Sequence, residues 1–291
     1  MRLKEALKKN RFVVTSEIQA PVDESPESVI QRLNLVKGRV DGVAVPDLEI
    51  EGVVGDSIKT CNLLQQNRFE SIYQTTTRDK SRPDLQKDLL LAHESGVENL
   101  LVFTEDYRIT GDSLQEMMFF HVDAGKLESV LTHIREGSTV DGKDLSEKVE
   151  FNMGSGVESG WGKQVPDLEM KEMEEMTRIG TGYFLTTPVF DVDRFEKFMK
   201  HAGTFRVPVI AEVMILRTAG MAQFLNRHFK PGLVPDWMIQ KLAKAPDKQK
   251  ASLEIFADTV KGLKDLCQGV HIITIGGEER LRHYLDAAKL R

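Results

Sequence analysis

Runs rich in β-branched and aromatic residues recur eight times along the chain, at residues 12–18, 41–45, 72–77, 99–104, 149–153, 183–187, 208–213 and 270–275. Stretches with apolar residues at helical spacing lie between most of them, at 26–36, 56–65, 82–95, 126–135, 166–179 and 192–201. Three more follow the seventh run, at 221–228, 235–245 and 250–266, and a last one closes the chain at 278–288. This alternation of strand-like and helix-like patterns is the mark of strands joined by helical crossovers. The clearest unit runs from Ser71 to Asp106, where a β-rich run, a helix closed by Gly96 and a second buried run follow one another. Parallel strands joined in this way make right-handed crossovers and bring their carboxyl ends to one side of the sheet. Eight such strands predict an α/β fold, a (β/α)8 TIM barrel that takes up residues 1–291 as one domain. The alternative is an open sheet, but no G-x-G-x-x-G follows the first strand, which removes its usual dinucleotide-binding version.

Two connections are longer than a simple crossover needs. The chain spends about forty residues between Glu105 and Lys148 and about fifty between Leu216 and Gly269, both on the side where the strands end. Within the first, the apolar-rich residues 112–121 read either as a piece that closes over a ligand or as a short helix packed on the barrel. After the fifth strand, Gly154, Ser155 and Gly156 open a glycine-rich loop that extends to Gly162 and would bring backbone amides close to an anion or a flat ring. Gly276 and Gly277 precede the last helix, as a phosphate-binding turn or simply a tight one. Met170, Met173 and Met176 recur at helical spacing and read as packing residues.

Composition narrows the class of partner. With 41% hydrophobic and 29% charged residues, the 291-residue chain has the material for a substantial core. A formal net charge of −6 with no clustered basic face argues against nucleic acid. Cys61 and Cys267 form neither a C-x-x-C nor a zinc-binding spacing, so a reducing compartment is expected and a metal is not. Residues 1–10 read as a charged helical start without the apolar centre of a signal peptide. No later run is long enough to span a membrane, and a cytoplasmic location is expected.

In a barrel the chemistry sits where the strands end, which makes Glu17, Pro46, Asp47, residues 74–79, Glu105, Asp106, Ser155, Thr186, Thr187, Glu212 and Gly276 the candidates. No lysine ends a strand, which disfavours a Schiff-base mechanism. Glu17 lies in an otherwise apolar run, where burial favours the protonated carboxyl and suits a general acid; a glutamate paired to a basic residue in the barrel mouth is the plain alternative. Asp106 would face the same cavity or cap a turn.

Taken together, residues 15–21, 76–79, 99–106 and 186–191 and Phe195 resemble the methylenetetrahydrofolate reductase family, most clearly in Arg78-Asp79 and Phe190-Asp191. The resemblance covers nearly the whole chain. It implies a flavin barrel, carrying FAD or FMN, that reduces 5,10-methylenetetrahydrofolate to 5-methyltetrahydrofolate in one-carbon metabolism. By that resemblance Glu17 falls on the general acid and Asp106 on the aspartate beside the flavin ring. Gln74, Thr75 and Thr76 would line the flavin edge, Gly154, Ser155 and Gly156 would take part in the cofactor site, and Thr187 and Phe190 would contact the folate with Glu17. Several positions depart from the family pattern: Thr104-Glu105 stand for Arg-Gly, Gly154-Ser-Gly156 for an alanine-tyrosine-proline loop, and Thr187 for a glutamine. Glu169, Glu172 and Glu175 occupy a helix that commonly supplies basic residues to the cofactor diphosphate. An acidic face there would favour FMN, whereas a solvated one would leave FAD to the amides of residues 154–162. NAD(P)H and a protein electron donor both stay open, as do a homo-oligomer and a redox complex. An accessory barrel subunit of a redox complex and a pterin-dependent methyltransferase are the other readings of the same chain.

Overall fold

The computed structural model describes residues 2–18, 24–46, 49–50, 53–54, 56–77, 80–102, 105–110, 113–119, 123–159, 167–229, 231–274 and 278–290. For 49–50, 53–54, 105–110, 113–119, 167 and 278 the backbone alone is described. The strands are β1 Val13–Glu17, β2 Gly42–Val45, β3 Glu49–Ile50, β4 Val53–Val54, β5 Ser71–Thr75, β6 Asn99–Val102, β7 Glu105–Thr110, β8 Ser113–Phe119, β9 Asn152–Val157, β10 Tyr183–Pro188, β11 Val209–Met214 and β12 Gly269–Ile273. Eight of them close into a parallel barrel in the order β1-β12-β11-β10-β9-β6-β5-β2, as the eight runs predict. Between them lie α1 Leu3–Lys8, α2 Pro26–Asn34, α3 Ser57–Gln66, α4 Arg82–Glu94, α5 Ala124–Glu136, α6 Asp167–Arg178, α7 Val192–Ala202, α8 Ala219–His228, α9 Asp236–Lys244, α10 Lys248–Leu263 and α11 Leu281–Ala287.

Local chemistry sets the helix boundaries. The side chains of Ser25, Asp56, Ser81, Asp123, Asp191, Thr218 and Asp247 each accept a first-turn amide and so start α2, α3, α4, α5, α7, α8 and α10. Gly137, at φ +88°, ends α5 in the left-handed region. No helix among the described residues is long and apolar enough to cross a membrane.

Strand alternation separates two faces. Val14, Val43, Tyr73, Leu100, Met153, Phe184, Val270 and Ile272 pack outward in the large cluster with the helices. Val13, Ala44, Ile72, Leu101, Tyr183, Leu185 and Ile210 pack inside the barrel, where Leu3, Ala6 and Leu7 of α1 join them. The charged helical start is thus an apolar plug on its inner side. A polar chain supports the plug: Glu70 accepts from Leu3 N–H (3.4 Å) and Asn99 Nδ2 (2.9 Å), and Asn152 Nδ2 donates to Asn99 Oδ1 (2.9 Å). With the amino end closed in this way, the carboxyl end of the strands is the side available to a ligand.

Two sequence expectations shift. The fifth barrel strand is residues 152–157, not 149–153, so Gly154, Ser155 and Gly156 are strand residues rather than the start of a loop. Val149 and Phe151 look strand-like in sequence, yet they are buried in the helix-facing cluster. The second shift concerns the stretch 112–121: its described residues, 113–119, are strand β8 rather than a short helix, and β8 pairs antiparallel with β7. The backbone of the pair reaches β3 on one flank and α8 on another. β3 follows β2 and α8 follows β11, so these neighbours put the hairpin on the carboxyl side of the barrel.

Candidate active site

Register and alternation build the inside of the mouth. Thr15 pairs in register with His271, and His271 with Glu212, so these three side chains share one inward layer. Glu17 follows on the same face of β1, half-buried at the strand end, and neighbours Ala44 in register. Thr15 Oγ1 and His271 Nδ1 share a hydrogen bond of 2.9 Å. Full burial pulls the His271 imidazole down to about 4, which keeps it neutral at physiological pH. His271 therefore supplies no positive charge to the acids around it.

That burial has a measurable consequence. The ordinary imidazole value of 6.5 lies above the folded one of about 4, so in this interval the unfolded chain binds more protons. Stability from this group is complete above pH 6.5 and is lost as the pH falls toward 4, by about 3 kcal/mol in all. Urea melts at pH 7 and pH 4.5 should show that loss, and His271→Gln should flatten the difference. An equal pH dependence in the variant would place the effect elsewhere.

Glu212 is held by an irregular edge. The β10–β11 register shifts between Leu185 and Pro188. At the shift the Thr186 hydroxyl accepts from Glu212 N–H (3.2 Å), while the Glu212 carbonyl accepts from Val189 N–H (2.9 Å). Thr187 is buried, and its hydroxyl accepts from Ser159 N–H (3.3 Å) and meets Ser159 Oγ at 3.2 Å. Phe190 is 5% exposed and packs with Met214, Leu216 and Leu225, which leaves its ring little surface for a substrate.

On the other side of the mouth, Gln74 alternates with Ile72 on the inner face of β5, and Thr76 lies half-buried just past the strand. Thr75 is buried, and its hydroxyl accepts from Lys80 Nζ (3.0 Å), which also meets Asp88 at 2.7 Å. Lys126 Nζ donates to the carbonyls of Thr77 (2.8 Å) and Lys80 (3.0 Å), which ties α5 to the chain that follows β5. Arg78, Asp79, Asp47, Thr104 and Gly276 lie outside the described residues. Asp106 is not at a barrel strand end: β6 stops at Val102, and the Asp106 backbone stands in β7 opposite Met118. Its side chain lies outside what is described.

The glycine-rich segment acts differently from a loop of amides. A Cβ on Gly154 would fall 2.2 Å from the Tyr183 ring, so this glycine makes room for a buried aromatic side chain inside the barrel. Ser155 is fully buried and borders a small cleft with Gly156, Glu172 and Glu175, on the helix side of β9. Glu169 is also buried, and its carboxylate accepts from Glu158 N–H (2.8 Å) just past β9. The acidic face of α6 is therefore partly folded against the strand end, neither wholly solvated nor suited to a diphosphate. For a flavin ring, the inward Gln74 and the half-buried Thr76 offer suitable polar groups at the mouth; the residues described at α6 do not fit the diphosphate end.

The cysteines add no chemistry. Burial pushes the Cys61 thiol up to about 12 and the Cys267 thiol up to about 11, so neither is a nucleophile at neutral pH. Met173 and Met176 are buried in the core, as their spacing predicts.

The family model for methylenetetrahydrofolate reductase matches residues 2–289. The chain belongs to this family. No curated protein matches it closely enough to add to that assignment. Among solved structures, the chain is similar to a Clostridium thermocellum protein described as binding two copies of 5-methyl-5,6,7,8-tetrahydrofolic acid. The identity is 15% and the TM-score 0.58, over 99% of this chain and 98% of that one. It is also similar to 3-keto-L-gulonate-6-phosphate decarboxylase from Vibrio cholerae, at 10% identity and TM-score 0.53 over 96% of each chain. Tryptophan synthase from M. tuberculosis is a third, at 11% identity and TM-score 0.55 over 99% and 97%. At these identities the three structures speak for the barrel alone, and the family assignment rests on the family model.

Proposed function

We propose that the chain binds a reduced folate in the carboxyl-side mouth of its barrel and, with bound flavin, reduces 5,10-methylenetetrahydrofolate to 5-methyltetrahydrofolate. The family supports this reading, as does a similar barrel described as binding 5-methyltetrahydrofolate. The observation that carries it is the position of Glu17, a half-buried carboxyl on the inward face of β1, above a layer whose histidine is neutral.

The chemistry needs one proton and one hydride. Glu17 gives its proton to the bridge nitrogen, the carbon–nitrogen bond to the bridge breaks, and the remaining carbon becomes a cationic iminium. Reduced flavin, when bound, supplies the hydride that turns this carbon into a methyl group. Gln74 and Thr76 would orient the ring. Asp106 would stabilise the cation by charge alone. The electron donor is NAD(P)H or a protein partner, and the carboxyl-side hairpin, if drawn over the bound folate, would keep water from the iminium.

A second reading follows from the ligand of the Clostridium protein, which is a methyl donor: a pterin-dependent methyltransferase without flavin. A visible spectrum of the purified protein followed by anaerobic titration separates the two. A flavin spectrum that is bleached by dithionite and restored by 5,10-methylenetetrahydrofolate is the expected result. A colourless protein that neither takes up FAD or FMN nor loses affinity for 5-methyltetrahydrofolate would overturn the reductase and leave the methyltransferase.

A further inference from the structure

The end of β5 alternates between two environments. Gln74 and Thr76 are half-buried at the mouth, whereas Thr75 and Thr77 are each 1% exposed and turn away from it. Thr77 is tied at two atoms. Its hydroxyl accepts from Asp123 N–H (3.0 Å), and its carbonyl accepts from Lys126 Nζ (2.8 Å), 49 positions along the chain. Lys126 Nζ also donates to the Lys80 carbonyl (3.0 Å), and Lys80 Nζ returns to the Thr75 hydroxyl (3.0 Å). The outward side of this strand end is therefore fixed residue by residue, directly below the polar groups offered to the mouth.

The partners chosen by Lys126 speak for precision more than for stability. Its side chain is 20% exposed, and the Asp123 carboxylate stands 3.8 Å off, because the other oxygen of that group accepts from Lys126 N–H (2.8 Å) to cap α5. Two of the three ammonium donors go to main-chain carbonyls instead. Ordering a long lysine side chain costs rotamer entropy, and water can serve turn carbonyls at nearly the same free energy. What the lysine adds is a fixed direction for the chain as it leaves β5. The same threonine also joins two parts of the carboxyl side: β8 ends at Phe119 and α5 starts at Ala124, so Asp123 N–H lies where the hairpin runs into the helix.

We propose that Lys126 and Thr77 are positioning residues: they hold the end of β5 so that Gln74 and Thr76 meet the flavin ring in one orientation, and they couple that edge to the chain entering α5. The inference rests on the flavin reading above and assigns a role to two residues which that reading leaves unused. Each acts through Thr76 and the strand below it. Because the coupling is mutual, a flavin that orders the strand end also orders the start of α5.

Titration of flavin-free protein with FMN and with FAD, joined to amide exchange read by mass spectrometry, tests this. Lys126→Met, close in length but without donors, should weaken flavin binding about tenfold. Thr77→Val keeps the shape, loses the hydroxyl and should weaken it several-fold, while Thr77→Ser should restore wild-type affinity. Lys87→Met, on the exposed side of α4, removes a charge and should change nothing. In the wild-type chain flavin should slow exchange at residues 123–127 as well as at 74–77. Thr77→Val saturated with flavin should lose the first effect and keep the second. Wild-type affinity in both Lys126→Met and Thr77→Val, or protection at 123–127 that survives Thr77→Val, would overturn the proposal alone. A wild-type chain that takes up neither FMN nor FAD would overturn the flavin reading, and this inference with it.

Discussion

Glu17→Gln is expected to slow the oxidation of flavin by 5,10-methylenetetrahydrofolate by about 10²–10⁴-fold, the range removed with a positioned general acid. The amide matches the carboxyl in size, so the half-buried position on β1 should still fill and the barrel should still form. What it lacks is a transferable proton. Flavin uptake and reduction by dithionite should therefore stay at wild-type levels, which separates loss of the acid from loss of the site. Glu212→Gln is the control within the same mouth. Glu212 is 2% exposed and belongs to the deeper layer with Thr15 and His271. Its main effect should be on stability. Near-wild-type turnover in Glu17→Gln would remove Glu17 from the mechanism, and a larger loss in Glu212→Gln would move the acid one layer down.

The barrel was legible because each of its strands carries a local signal. Runs such as residues 99–102 and 183–188 are buried on both faces, so apolar residues dominate them, and the caps at Ser25, Asp56 and Ser81 mark where helices begin. The fifth strand was misplaced by three residues because Gly154-Ser-Gly156 has poor strand propensity. Its glycine answers to the Tyr183 ring on the neighbouring strand, and no local pattern carries that information.

The hairpin had a signal in the sequence: a glycine-first pair, Gly111-Asp112, between two runs with strand character is a pattern that reads as a hairpin. His271 had none. Its partner Thr15 is 256 residues away, and only closure of β1 on β12 brings them together. Glu17 was legible as an acid in an apolar strand, while the roles of Thr75 and Phe190 depended on which way each side chain points. Thr75 is committed to Lys80 and Phe190 to an apolar cluster, and both directions were set by the packing of other elements.

Gly269→Ala should cost about 4 kcal/mol or more. Gly269 opens β12, and β12 closes the barrel against β1. A Cβ there would lie 2.4 Å from the Val13 carbonyl oxygen, 3.1 Å from its carbonyl carbon and 2.4 Å from its Cγ2. Two of those atoms are backbone, held by the β1–β12 pairing itself, so the strands would have to part at the seam. Gly154→Ala makes the comparison. Its Cβ would meet the tip of the Tyr183 side chain, at 2.2 Å from Cζ, and the expected cost is the ~1–3 kcal/mol of an overpacked core. The two should differ in how they can be rescued. Tyr183→Leu frees the space beside Gly154, so the double variant should be less destabilised than the sum of its parts. Val13→Ala removes Cγ2 but leaves the carbonyl, and should restore little of the Gly269→Ala loss. Denaturant melts of the four single and two double variants measure both couplings. Full rescue of Gly269→Ala by Val13→Ala would show that the side chain, not the backbone of β1, sets the closeness of the seam.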